Sequence, residues 1–196
     1  MPPLGNALDM PDAEVLLFPG FFPAVEADAL FAVLTTNIAW RQDKIMMYGR
    51  EIDQPRLVAW YGDAGKSYTY SGITLTPQPW TPELLQIRQR VEPVAGVAFN
   101  SVLLNLYRSE RDSVGWHSDD EPELGTNPVI ASVSFGAARA FQFKHKTDPQ
   151  LRAAVDLTHG SLLVMRGTTQ HFWKHQIPKS TRPHAPRINL TFRIIQ

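Results

Sequence analysis

The sequence contains no cysteine. Disulfides, thiolate metal sites and cysteine nucleophiles are therefore excluded, and a bound metal must use imidazole, carboxylate and water. Long apolar runs are also missing. The patch Val15-Leu16-Leu17-Phe18 stops at Pro19, too short for a signal-peptide core or a membrane span. Net charge is absent as well, with 19 Lys and Arg against 19 Asp and Glu. That balance argues against a bulk nucleic-acid coat protein. No internal repeat, low-complexity tract or linker divides the chain. The expectation is one intracellular domain over residues 1–196, monomeric and without a membrane partner; it would be cytoplasmic in a bacterium and nuclear in a eukaryote. Its 43% apolar content suits a full hydrophobic core.

What is present is unevenly distributed. Residues 1–138 carry 9 Lys/Arg against 17 Asp/Glu, and residues 139–196 carry 10 against 2. A basic second half permits a phosphate-binding surface, although scattered solvated charge gives the same count. Spacing predicts a helix from about Ala24 to Ile38, with Val25, Ala29, Val33 and Leu34 on one side. A second helix begins at Thr81-Pro82-Glu83, capped by Thr81 and ended with help from Pro93. After Gly96 the texture becomes that of short strands: Phe99 to Tyr107, Val129 to Phe135, Ala140 to Lys144, Gly160 to Met165 and Arg187 to Ile195. Helices followed by many short strands predict an α+β fold with a β-sandwich or jelly-roll core.

His117-Ser118-Asp119 carries the strongest local chemistry. On an extended chain, side chains at i and i+2 share a face, so an imidazole and a carboxylate can converge. A further histidine completes the two-His, one-carboxylate face of non-haem iron(II), with positions left open for cosubstrate and oxygen. His159, His171, His175 and His184 are the candidates. His159 reads as a turn and His184 as a Pro-rich loop, while spacing alone does not separate His171 from His175.

The last strand alternates strictly. Arg187, Asn189, Thr191 and Arg193 share one face, and Ile188, Leu190, Phe192 and Ile194 the other. Two guanidinium forks, an amide and a hydroxyl make an anion receptor. The arginines are about 20 Å apart on a fully extended strand, so twist and side-chain length must close the gap around one small diacid. Asn105 and Tyr107 add neutral donors by the same i, i+2 logic. Either strand alone reads better as an ordinary amphipathic strand with a solvent-facing polar side; the two together with His117 and Asp119 favour an oxidative site.

At this point the chain resembles the AlkB family of oxidative dealkylases, from about Tyr48 to Gln196. The carrying motifs, in order, are Tyr61-Gly62-Asp63-Ala64-Gly65, Tyr68-Thr69-Tyr70-Ser71-Gly72, Asn105-Leu106-Tyr107, His117-Ser118-Asp119-Asp120-Glu121, Ile130-Ala131-Ser132-Val133-Ser134-Phe135-Gly136, His159-Gly160-Ser161-Leu162-Leu163 and Pro186-Arg187-Ile188-Asn189-Leu190-Thr191-Phe192-Arg193. The match is closest to the animal AlkB homologue that repairs double-stranded DNA. The resemblance implies a double-stranded β-helix (jelly-roll) core at about 97–196, N-terminal helices packed on it, and a nucleotide-recognition lid at about 40–80. It implies iron(II), 2-oxoglutarate and oxygen. It selects His175 as the remaining ligand and assigns Asn105, Tyr107, Arg187, Thr191 and Arg193 to 2-oxoglutarate. Arg187 matches the partner of the distal carboxylate, and Arg193 that of the chelating end.

The resemblance also implies that a flipped base stacks between Tyr70 and His117, with Tyr68, Ser71, Asp120 and Glu121 beside it. Met46-Met47-Tyr48-Gly49-Arg50 matches an intercalating hairpin, with Tyr48 in place of a phenylalanine wedge. Read from the residues alone, Met46, Met47 and Tyr48 fit a strand packing on the core. Arg56 matches a residue that supports the displaced strand. The implied activity is oxidative demethylation of 1-methyladenine and 3-methylcytosine in alkylated DNA, duplex or single-stranded, releasing formaldehyde and succinate. Two rivals remain: a related dioxygenase acting on RNA, protein or a small molecule, and a DNA-binding module with a vestigial site.

Overall fold

In the computed structural model, residues 5–47, 49–66, 68–70 and 73–196 are described, with side chains throughout except at 46–47, 68–70 and 73–75. Two short strands, β1 (Asn6–Ala7) and β2 (Glu14–Phe18), precede helix α1 (Ala24–Asn37). Next come two ribbons and the strand between them: β3 (Lys44–Met47), β4 (Arg50–Asp53), β5 (Leu57–Gly62), β6 (Tyr68–Tyr70) and β7 (Ile73–Leu75). Helix α2 (Pro82–Ala95) leads into β8 (Ser101–Tyr107), β9 (Val114–His117), β10 (Ile130–Gly136), β11 (Arg139–His145), β12 (Arg152–Leu157) and β13 (Ser161–Arg166). A one-turn helix α3 (Thr169–Phe172), β14 (Trp173–Ile177) and β15 (Arg187–Arg193) complete the chain.

Thr81 caps α2 as its residue type dictates, accepting from Leu84 N at 3.3 Å. Pro93 does not end this helix. It lies inside the last turn, and the stop comes at Gly96, whose φ of 76° suits glycine. The buried face of α1 also differs from the one its spacing suggests. Ala27, Leu30 and Leu34 are buried, while Val25 is 84% exposed.

A seven-stranded antiparallel sheet of order β1-β2-β13-β10-β15-β8-β5 faces a four-stranded sheet of order β12-β11-β14-β9. This is the jelly-roll arrangement. Alternation divides the large sheet's side chains cleanly. Val102, Leu104, Val133, Phe135, Ile188, Leu190 and Phe192 join the core shared with α1 and α2. The other parity looks toward the small sheet. At one end Leu163 and Met165 meet Phe141, Phe143, Trp173 and Ile177 in a second core. In the middle that face is polar, carrying Asn105, Ser132, Ser134, Arg187, Asn189 and Thr191, all buried. Polar groups shut between two sheets require partners, and that requirement marks the site.

Candidate active site

Two strands and a bend deliver the side chains of a candidate metal site. His117 ends β9, and His175 lies directly across from it on β14. On β14 the inward positions are Trp173, His175 and Ile177, while Lys174 faces out. The apolar flanks two residues either side of His175 are therefore the sequence signal that separates it from His171. His171 sits in α3, exposed and bonded to Asn127 at 2.8 Å. His159 occupies a turn, where its Nδ1 accepts from Gly136 N at 2.8 Å. His184 lies outside regular structure.

Asp119 does not reach the site by strand alternation. Strand β9 stops at His117, and residue 119 lies in a bend. Two bonds shape that bend: Asp119 N donates to Gln170 Oε1 at 2.9 Å, and Ser118 Oγ donates to Trp173 O at 2.9 Å. One ligand atom from each of His117, Asp119 and His175 lies within 4.8 Å of the others. The rings of His117 and His175 are 4.3 Å apart, and His175 Nε2 is 3.9 Å from Asp119 Oδ2.

The electrostatics suit a cation. His117 Nδ1 is 2.8 Å from Gly115 O, so the proton belongs on Nδ1 and the Nε2 lone pair stays free for a metal. The imidazole of His175 is pushed down to about 3, by burial first and then by His117, against the pull of Asp119. It is a neutral ligand at any physiological pH. Burial pushes the Asp119 carboxyl up, but Arg193, His175 and His117 together outweigh it and hold the group below the usual carboxylate range. Phe141 stacks on the His175 ring at 5.1 Å, and Phe143 meets it edge-on.

The anion receptor adjoins this cluster. One cavity is lined by His117, Asp119 and His175 together with Asn105, Tyr107, Arg187, Asn189, Thr191 and Arg193. Arg193 hydrogen-bonds Asp119 at the metal end. Arg187 is 1% exposed, lies over the Tyr107 ring at 5.2 Å and donates to Ser134 Oγ at 2.9 Å. Its Nε and Nη1 have no hydrogen-bond partner among the described residues, nor does Arg193 Nε. Burial pushes the Arg187 guanidinium down to about 10, so it stays charged at neutral pH. A buried cation with idle donors is costly unless an anion joins it, and the diacid 2-oxoglutarate fits that need. The donor set thus matches both iron(II) and 2-oxoglutarate.

Asn189 lines this cavity, and its amide also bonds within the sheet. Its Nδ2 donates to Ser132 Oγ at 2.7 Å and to Val133 O at 3.0 Å, and its Oδ1 accepts from Thr191 Oγ1 at 3.1 Å. Both amide hydrogens are thereby engaged within the sheet.

A larger cavity shares His117, Asp119, Arg56 and Arg193 with the first and opens toward the β3–β4 hairpin. Trp60, Trp116, Asp43 and Glu121 line it. Glu121 was expected there; Trp60, Trp116 and Asp43 were not, although Trp116 immediately precedes the first metal ligand. Lys144 Nζ lies over the Trp116 ring at 4.6 Å. Asp120 does not line this cavity but pairs with Lys146 at 2.9 Å. Arg56 lines both cavities. Gly49, at φ 74°, and exposed Arg50 form the turn end of the hairpin. Tyr68 and Tyr70 lie on β6, their side chains outside the described set, and Tyr48 and Ser71 fall outside the described residues.

Comparison with known proteins agrees with this geometry. Alpha-ketoglutarate-dependent dioxygenase alkB homolog 3 from Bos taurus is 46% identical over 192 residues, covering 93% of this chain and 66% of the relative. DNA oxidative demethylase ALKBH2 from Homo sapiens is 45% identical over 184 residues, covering 89% and 70%. The two identities differ by one percentage point, so identity alone does not separate these relatives. The chain therefore spans just under two thirds of the length of the first of these relatives. The solved structure of OsALKBH1 superimposes with a TM-score of 0.62 at 16% identity, covering 92% of this chain and 96% of that one, a likeness of fold. Residues 14–193, nearly the whole chain, match the 2OG-Fe(II) oxygenase superfamily, and the protein belongs to it.

Proposed function

We propose that the protein is an iron(II)- and 2-oxoglutarate-dependent demethylase of N-alkylated DNA bases, with 1-methyladenine and 3-methylcytosine as lesions. One observation carries the reading. Three metal-ligating atoms within 4.8 Å of one another share a cavity with a buried arginine whose Nε and Nη1 are unpartnered among the described residues. The assignment to DNA draws on the human relative, named a DNA oxidative demethylase.

When bound, iron(II) with 2-oxoglutarate and oxygen supplies the oxidant that hydroxylates the N-alkyl carbon. His117, Asp119 and His175 would hold the metal on one face. Arg187 would take the distal carboxylate and Arg193 the nearer one, with Asn105, Tyr107 and Thr191 beside them. Phe141 and Phe143 keep water from the His175 ring. A base cannot reach this depth while stacked, so the nucleotide must flip into the larger cavity. Tyr70 and His117 would sandwich it, with Tyr68, Ser71 and Glu121 at its edges. Tyr48, Gly49 and Arg50 would meet the gap left in the strand. The hydroxymethylated base then breaks its C–N bond, releasing formaldehyde and restoring the base.

The test is a panel of methylated duplex, single-stranded DNA and RNA, assayed for formaldehyde with iron(II) and 2-oxoglutarate, with and without chelator. Chelator-sensitive release from methylated DNA is expected. Failure on every nucleic acid, with 2-oxoglutarate turnover on a protein or small molecule, would replace the reading by the sibling dioxygenase.

A further inference from the structure

We infer that Arg56 is a positioning residue for the cosubstrate: it turns the Asn105 amide so that its NH2 faces 2-oxoglutarate, and it ties that amide to the root of the β3–β4 hairpin. The inference rests on the reading of the cavity as a 2-oxoglutarate site.

Arg56 immediately precedes β5 and donates from Nε to Asn105 Oδ1 at 2.8 Å and from Nη1 to Ser113 O at 3.2 Å. A guanidinium has donors only, so the amide atom facing it must be oxygen. The Asn105 NH2 is thereby aimed away from Arg56, within the cavity both residues line. A flipped amide would present a lone pair to a carboxylate. The neighbouring amide cannot substitute. Asn189 lies directly across from Asn105 in the sheet, and both its hydrogens are spent on Ser132 and Val133. Asn105 is therefore the amide left to donate, and Arg56 sets its sense.

The same arginine belongs to the hairpin's root. Its carbonyl accepts from Gln42 Nε2 at 3.3 Å, and Arg108 Nη1 donates to Gln42 Oε1 at 2.9 Å. The preceding Pro55 O accepts from Ser113 N at 2.8 Å. A shift of residues 54–56 is thus felt at Asn105. The family match instead puts Arg56 against the displaced strand, and the two roles predict opposite results.

The experiment uses the full chain loaded with Mn(II), which binds like iron(II) but does not turn over. Calorimetry measures 2-oxoglutarate affinity, and fluorescence anisotropy measures affinity for methylated duplex, in wild type, Arg56→Met, Arg56→Lys, Asn105→Ala and Arg56→Met/Asn105→Ala. Arg56→Met should weaken 2-oxoglutarate about tenfold while Mn(II) affinity holds. Arg56→Lys, whose head is also donor-only, should recover most of that loss, which covers the case in which the methionine variant fails to fold. In the Asn105→Ala background, Arg56→Met should change affinity less than about twofold, the mark of action through Asn105. Unchanged 2-oxoglutarate affinity with lost duplex affinity would overturn the inference in favour of the displaced-strand role. A full tenfold loss in the Asn105→Ala background would overturn it in favour of direct contact. If wild type binds no 2-oxoglutarate, the cavity reading itself falls.

Discussion

The inter-sheet site and the β3–β4 hairpin are built in opposite ways. Strand β15 is paired on both sides, by β10 and by β8, and six of its seven residues are buried. The hairpin is a separate two-stranded sheet, and all four residues of β4 are exposed. A lone two-stranded ribbon has little stability of its own, whereas a central strand holds its side chains to fractions of an ångström. The proposed function uses this contrast: it puts chemistry that needs fixed atoms on the first and contact with a long irregular substrate on the second.

Substitutions should separate the two regions. The largest loss belongs to the site: Asp119→Ala should abolish turnover, by about a thousandfold or more, because it removes a metal ligand. Formaldehyde release together with circular dichroism checks this, and normal turnover by a folded variant would remove the metal assignment. Next comes Arg187→Met. Losing a charge-assisted carboxylate pair should weaken 2-oxoglutarate about a hundredfold. The same change removes a buried cation whose Nε and Nη1 have no hydrogen-bond partner among the described residues, so the melting temperature without ligand should not fall. A lower melting temperature would assign Arg187 a scaffold role.

The hairpin side should respond more gently and with substrate selectivity. Tyr48→Ala should impair duplex repair more than single-strand repair, because only a duplex leaves a hole for a wedge. Equal losses would count against the wedge. The smallest effect expected is in the pH profile of the metal-free protein. The folded pKa of His175 is depressed to about 3 from an ordinary 6.5. Between those values the unfolded chain takes up a proton that the folded chain refuses, so stability falls as pH drops from 6.5 toward 3. Asp119 acts in the same sense, its contribution being lost as pH falls through its lowered folded value. His175→Gln should flatten the decline in melting temperature over that window, and an unchanged slope would contradict the burial argument.

Legibility in the sequence follows the same division. Strand β15 announced itself, because seven alternating residues put two arginines on one face. Strands β8, β10, β11 and β13 were readable as short β-rich segments after Gly96, and α2 through its Thr81-Pro82 start. Strands β9 and β14, of four and five residues, were too short for alternation to stand out, yet they carry both histidines of the candidate metal site. Asp119 was chosen for a reason that does not hold, since a bend tied to Gln170 places it rather than strand geometry. Gln170 and Arg56 act through partners 51 and 49 residues away, separations that local spacing does not reveal. Ser132 and Ser134 looked like ordinary strand residues, although they anchor Asn189 and Arg187.

The most direct measurement is a crystal structure with Mn(II) and 2-oxoglutarate soaked under nitrogen. The account predicts one metal ion bonded to His117 Nε2, Asp119 and His175 at about 2.0–2.3 Å, with the far carboxylate of the diacid on Arg187. A metal bound elsewhere, or a diacid that leaves Arg187 unpaired, would contradict it.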